Sequence, residues 1–408
     1  MIEEFDVVAD IITDGLDRIN VTKLFDLNLL YESFLKSMKN SSWKSSCQRY
    51  ELQLLSNLVE LSKSIRNRTY TTDKTTEFVL NERGKTRYIH GNTIRDRIIR
   101  HNLCDNILTP LLSKYLIYNN GASQTGKGIS FQRKQFEKHL HNFYLKYYHN
   151  QGYILFIDFS KFYDNILHSK VKELISPLLD DDCKWLFEDI IDSFRVDISD
   201  YPQVNPTDMF DSIKFHSLDK IISETDERRV LEKGINIGDQ TSQNIGIYYP
   251  TRIDTYVTNV RHHKWYGRYM DDSYIISDSK DELLITLHKI EEIAREYGVF
   301  INERKTRIVE TSSTYKFLQV NYSLTNTGGI IKRINPKSVT KEKHRLKAYK
   351  RLLENGILSY NDIENTYKSW LCSYYRMMSK IQIQTIQDLY ESLFGVRPRY
   401  KKWKSLNG

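Results

Sequence analysis

Apolar runs that end in aspartate constrain this chain more than any other feature. YILFI (153–157) is followed at once by Asp158, and KWYGRYM (264–270) and SYIIS (273–277) flank Asp271 and Asp272. Runs this short and this rich in aromatic and β-branched residues read as buried strands, not helices. A carboxylate closing such a strand is costly unless something compensates its charge. Each motif alone has an ordinary explanation. A strand-terminal Asp often caps the next helix, and Asp-Asp between two strands is common turn chemistry. The conjunction of all three acids is harder to dismiss.

The rest of the chain predicts what surrounds those strands. Residues 1–70 read as helices, with apolar residues at helical spacing in QRYELQLLSNLVELSKSI. TTEFVLNERGKTRYIHG alternates around NERGK and predicts a hairpin turning at Gly84. Helical patterns cover IRDRIIRHNLCDNILTPLLSKYL, then the segment after the loop NNGASQTGKG, then SKVKELISPLLDDDCKWLFEDIIDSF. Residues 196–233 lack a clear period and predict loops or an elaboration. QTSQNIGIYYPTRIDTYVTNV and ELLITLHKIEEIAREYG predict helices, and YKFLQVNYSLTNTGGIIKRI a hairpin turning at 326–329. This order of elements predicts an α+β fold, a small and mostly antiparallel sheet backed by helices.

Composition narrows the class. With 408 residues, 40% of them hydrophobic, two or three packed subdomains are expected. No apolar run is long enough to span a membrane, and the acidic N-terminus lacks the order of a signal peptide. The four cysteines (47, 104, 183 and 372) are scattered, which predicts free thiols in a reducing cytoplasm. Charge is uneven: residues 331–408 hold 17 Lys plus Arg against 6 Asp plus Glu, while the preceding residues hold 43 against 46. A basic run is often only a solvated helical face. Here RPRYKKWK (397–404) interleaves aromatics with charge, which favours a phosphate-binding surface.

If the three acids sit at the ends of adjacent strands, they converge on one point and repel. Two Mg²⁺ ions relieve that repulsion, with Mn²⁺ able to substitute. Two metals about 3.5–4 Å apart activate an attacking hydroxyl and stabilise a leaving phosphate. Phosphate oxygens and water complete the octahedron, so few protein carboxylates are needed.

Seven segments, two of them carrying the acids, stand in a telling order. FIDFSKFYD, GINIGDQTSQ, RYMDD, GVFINERKT and YKFLQV, preceded by ERGKTRYI and IRDRIIRH, resemble the successive motifs of bacterial reverse transcriptases, including those of group II introns, retrons and diversity-generating retroelements. The resemblance is clearest over residues 75–330. It implies a right-hand polymerase with an N-terminal helical extension (1–70), fingers (71–150), palm (151–330, elaborated over 171–235) and a basic helical thumb (331–408). It implies Asp158, Asp271 and Asp272 as metal ligands, with the Phe159 backbone beside them. Tyr163 would lie beneath the incoming sugar and exclude a 2′-hydroxyl; as an isolated residue it would read as core. Lys85 and Arg87 would clamp the triphosphate, although a solvated hairpin tip is the plain alternative. Lys305 would serve the pyrophosphate as acid or electrostatic stabiliser, or be a surface lysine.

Gly238, Ser242 and Gln243 would position the nucleotide and template. Ile237 stands where many relatives place Gln, and Gln243 where they place Pro; this form resembles diversity-generating retroelement enzymes. Phe317, Leu318 and Gln319 would grip the primer, and Arg397, Arg399, Lys401, Lys402 and Lys404 would contact nucleic acid from the thumb. TGKG (125–128) lacks the spacing and leading strand of a phosphate-binding P-loop; a template-backbone contact suits it better. After residue 331 only a thumb-sized segment remains, so no nuclease or integrase domain is expected. The implied partners are an RNA template, a noncoding RNA by preference, a DNA product and dNTPs, with room for an oligomer or accessory protein. The implied setting is bacterial antiphage defence, with a diversity-generating retroelement as the alternative. A non-catalytic nucleic-acid-binding protein on the same fold is the contrasting class, and three clustered acids argue against it.

Overall fold

The computed structural model describes residues 22–82, 85–197, 199, 222–225 and 228–398; at 77, 81, 82, 85–88, 222–225 and 228 it describes the backbone alone. The chain forms two compact units, one of residues 1–128, 156–275 and 281–307, the other of residues 129–155, 276–280 and 308–408.

The first unit opens on the predicted helices Leu27–Met38, Ser45–Leu52 and Leu54–Arg66. Asp26 starts the first of these by accepting from the amides of Asn28 (2.8 Å) and Leu29 (3.1 Å), two of the donors a helix leaves unpaired. Leu58, Leu61 and Ile65 share one face and are buried, each contributing about 1.5–3 kcal/mol. The predicted hairpin pairs Thr76–Glu82 with Lys85–Gly91 antiparallel, from Thr76 opposite Gly91 to Glu82 opposite Lys85. Helix Ile94–Leu103 follows and buries Ile98, Ile99 and Leu103. The segment without clear period contains a three-stranded sheet, Val196–Asp197, Arg228–Leu231 and Ile222–Thr225 in spatial order. Residues 198, 200–221 and 226–227 of that elaboration lie outside the described residues.

A four-stranded sheet runs in the order Arg307–Glu310, Tyr153–Ile157, Asp272–Ser277, Tyr266–Tyr269. The outer pair is antiparallel, from Tyr266 opposite Ile275 to Tyr269 opposite Asp272. The chain therefore reverses at Met270 and Asp271, and Asp272 is already the first residue of its strand. The alternation of apolar runs alone predicts both aspartates between the strands; pairing with Tyr269 draws Asp272 into the second.

In the second unit, helix Ile129–Tyr147 carries Phe136 onto a three-stranded meander of Tyr315–Phe317, Val320–Leu324 and Ile330–Ile334. The Phe136 ring lies 4.8 Å from Phe317 and 5.1 Å from Tyr322. One hairpin was expected here; there are two. The second turn is Leu318–Gln319, with φ of 42° and 71°. Two left-handed residues in a two-residue loop match the twist of the flanking strands, but neither is the Asn or Gly that normally announces such a turn. Helices Pro336–Glu354, Tyr360–Tyr374 and Lys380–Phe394 complete the unit around Leu346, Ile363, Tyr367, Leu371, Ile386 and Tyr390. Ser359 with Asp362 and Ser379 with Gln382 close reciprocal caps on the last two helices.

Candidate active site

Asp158 stands in the single-residue gap between strands Tyr153–Ile157 and Phe159–Ser160. Its carbonyl accepts from the Asn302 amide at 2.8 Å, and Phe159 and Ser160 pair antiparallel with Ile301 and Phe300. That pairing delivers the loop after Ile301 to the acid. Lys305, on this loop, places its ammonium 2.7 and 2.9 Å from the two carboxylate oxygens of Asp158. The lysine is half exposed and the aspartate is largely buried.

Asp272 lies beside them. Solvent reaches it, yet surrounding protein desolvates its carboxyl, and the charges of Asp271 and Asp158 act in the same direction, pushing its pKa up to about 7. Because solvent access limits the desolvation, the crowding of three carboxylates is the cause that a cation would relieve. Lys305 opposes the shift without cancelling it. Among the described residues no group of three or more His, Cys, Asp or Glu side chains could by itself hold a metal ion. The oxygen-only donors and their mutual repulsion nevertheless suit a hard divalent cation whose remaining ligands come from phosphate and water. Asp158 is already paired with the Lys305 ammonium.

The turn carrying Asp271 is supported from beneath. Met270 has a φ of 55°, a conformation that glycine adopts freely and methionine does not. Arg268 donates to the Met270 carbonyl at 3.2 Å. Arg268 is 1% exposed and pairs with Asp254, which is fully buried, its Nε lying 2.9 Å from the carboxylate. Tyr266 donates to the same carboxylate at 2.6 Å, and Arg268 reaches the Ile247 carbonyl at 2.8 Å. The Arg268 backbone exchanges hydrogen bonds with Asn119 and Gly121, 3.1 Å each. Sequence reasoning missed Arg268 and Asp254; an arginine inside an apolar strand was the available signal.

Residues 73–322 match the family model described as "Reverse transcriptase (RNA-dependent DNA polymerase)". The chain belongs to this family. Among solved structures it is similar to telomerase from Candida albicans in complex with a fragment of telomeric RNA, at 13% identity and a TM-score of 0.42, covering 81% of this chain. The chain spans 61% of that structure's length. No curated protein matches.

The remaining expected residues of this reverse transcriptase family member sit as follows. Tyr163 follows Lys161, whose left-handed φ of 40° turns the chain after Ser160. Its ring is half buried, and its hydroxyl donates to the Met270 sulfur at 3.8 Å. Burial, then the charge of Asp271, raises its phenol pKa. Phe159 is buried. Gly238 has a φ of 97° and open space where a Cβ would stand. The following helix, Gln240–Tyr248, is capped by Asp239, which accepts from the Thr241 amide at 2.7 Å and pairs with buried Arg100. Ser242 is buried, its hydroxyl without a hydrogen-bond partner among the described residues. Gln243 is exposed and, with Ile237 and Gly238, lines a cavity of about 660 Å³ that also takes in Lys36, Lys39 and Lys44.

Lys85 and Arg87 stand on the second strand of the first hairpin, their side chains outside the described residues. Lys127 of the TGKG loop turns inward onto the carbonyls of Tyr118 (2.8 Å) and Asn120 (3.3 Å). In the second unit Phe317 is buried, Leu318 is half buried and Gln319 is exposed. Arg133 donates from Nε to the Leu318 carbonyl at 3.0 Å. Arg397 pairs with Asp388 at 2.8 Å and lies 3.5 Å from Glu391. Arg399, Lys401, Lys402 and Lys404 lie outside the described residues. No helix among the described residues is long and apolar enough to cross a membrane.

Proposed function

We propose that this chain is an RNA-directed DNA polymerase whose chemistry takes place at Asp158, Asp271 and Asp272. The observation that carries the reading is the crowding of these three acids, with Lys305, inside the region matched by the family model. Two Mg²⁺ ions, or Mn²⁺ in their place, would be held by the three carboxylates and the Phe159 backbone and would polarise phosphate oxygens and activate the primer hydroxyl. The chain's own residues prepare that site. Desolvation and the neighbouring acids raise the pKa of the Asp272 carboxyl, and a bound cation would favour its ionised form. With a cation held by Asp158, Lys305 would be free to face the departing pyrophosphate. Tyr163 fills the space below the sugar and so favours dNTPs.

Residues 71–150 act as fingers, 151–330 as palm and 331–408 as thumb, with the N-terminal helices as an extension. The lysine-lined cavity beside Gly238 and Gln243 suits a template strand, and Arg87 with Lys85 the triphosphate. Phe317, Leu318 and Gln319 present the primer. In the second unit a cavity of about 640 Å³ lined by Arg133, Arg345, Trp370 and Tyr374 combines cations with aromatic faces, as nucleic-acid surfaces do. The template is a dedicated noncoding RNA, and the setting bacterial antiphage defence in the cytoplasm.

The test is dNTP incorporation on a primed RNA with Mg²⁺, comparing the parent with Asp271→Ala/Asp272→Ala. The double variant should retain its melting temperature and lose at least about a thousandfold in rate, roughly 4 kcal/mol. Full activity in the double variant would sink the assignment. Sequencing the RNA that copurifies identifies the template; a random mixture of cellular RNA would count against a dedicated one.

A further inference from the structure

Gly246 lies inside helix Gln240–Tyr248 and is buried. A glycine there costs roughly 0.5–1 kcal/mol relative to alanine. It has no positive φ that would require glycine. What it has is a close neighbour. A Cβ at this position would stand 2.8 Å from the Tyr163 hydroxyl oxygen and 3.1 Å from the ring carbon bearing it. The ring is held from other directions too: Phe162 meets it edge-on at 5.8 Å and the Met270 sulfur takes its hydroxyl at 3.8 Å, while the backbone beneath it is anchored where the Tyr163 carbonyl accepts from the Ile235 amide at 3.1 Å. The missing side chain at 246 is thus the recess into which the Tyr163 hydroxyl fits.

We propose that Gly246 is a positioning residue that sets the depth of the Tyr163 ring and, through it, the discrimination between deoxy- and ribonucleotides. The inference rests on the polymerase reading for its functional half, whereas its packing half stands on the geometry alone. Adding a methyl group displaces the far end of a side chain, not backbone, so Gly246→Ala should fold while its Tyr163 ring is shifted. The hydroxyl is the atom met first, so removing it should restore the fit. This predicts a specific rescue: Tyr163→Phe relieves Gly246→Ala.

The experiment measures single-nucleotide incorporation with matched dNTP and rNTP, and thermal melting, for the parent, Gly246→Ala, Tyr163→Phe and the double variant. Gly246→Ala should lower the dNTP-to-rNTP ratio of kcat/KM by about tenfold, and the double variant should return to within about twofold of Tyr163→Phe alone. A parent-like ratio in folded Gly246→Ala overturns the proposal, as does a defect that Tyr163→Phe leaves unrelieved. If Gly246→Ala fails to fold, recovery of melting in the double variant supports the recess and continued failure refutes it. A parent that incorporates no nucleotide overturns the polymerase reading instead, and the melting rescue then decides the recess separately.

Discussion

Two tight turns in this molecule are built alike and charged differently. At 270–271 and at 318–319 the first loop residue is a non-glycine with left-handed backbone, Met270 at 55° and Leu318 at 42°. In each case a guanidinium donates to that residue's carbonyl, Arg268 at 3.2 Å and Arg133 at 3.0 Å. A left-handed conformation costs about 1–2 kcal/mol for an ordinary residue, and a charge-assisted hydrogen bond offsets a comparable amount. The charges diverge. Arg268 is neutralised by Asp254 in a fully buried pair. Arg133 makes no ion pair among the described residues and lies 5.6 Å from the centre of the Tyr374 ring, lining an open cavity. Both arginines are buried, but only Arg268 has a carboxylate partner among the described residues. The first turn presents acids, beside which Lys305 already supplies a cation. The second is expected to meet a phosphate backbone, where a free cation helps.

The largest effect should come from removing the neutralising partner of the first turn. Asp254→Ala leaves Arg268 buried and uncompensated, which should cost about 3–5 kcal/mol of stability by denaturant titration. A loss below about 1 kcal/mol would mean that the pair contributes nothing and the comparison fails. Next comes the support that only the first turn has, the Tyr163 ring against Met270. Tyr163→Val should reduce dNTP-over-rNTP preference about a hundredfold, roughly 3 kcal/mol, in a folded enzyme. Equal losses with both nucleotides would return Tyr163 to a plain core residue. Arg133→Gln should be milder, roughly 1.5–3 kcal/mol in stability. It should also flatten the log–log salt dependence of RNA binding by about 0.7–0.9 if one phosphate contact is lost; an unchanged slope would make Arg133 as internal as Arg268. The smallest effect belongs to Arg397, an exposed residue already shared between Asp388 and Glu391. Arg397→Gln should alter stability by at most about 1 kcal/mol, and a slope change larger than that of Arg133→Gln would reverse the ranking of the two sites.

The strands and acids were legible because burial and charge conflict openly there: YILFI before Asp158 and SYIIS after Asp272 leave few alternatives. The helices were legible from spacing, as Leu58, Leu61 and Ile65 illustrate. The turn at Leu318–Gln319 was not, since its left-handed residues carry none of the usual turn chemistry and are held by Arg133, 185 residues distant in sequence from Leu318. Arg268, Asp254, Arg100 and Asp239 were hidden for a related reason. A charged residue reads as surface until its partner is known, and no local pattern pairs Arg100 with Asp239, 139 residues apart. The recess at Gly246 was equally invisible, because a single glycine in a helix has no signature apart from the ring that occupies it.

The contact between Lys305 and Asp158 closes a span of 147 residues. Such a contact gains nothing until the intervening chain has already been ordered, and the entropy of closing so long a loop must be overcome first. The hairpin at 266–277 and the flanking helices, by contrast, draw on neighbours close in sequence. During refolding, secondary structure should therefore return well before the cluster of acids does. The interval between the two is a period in which the chain is largely formed and the three acids are not yet gathered.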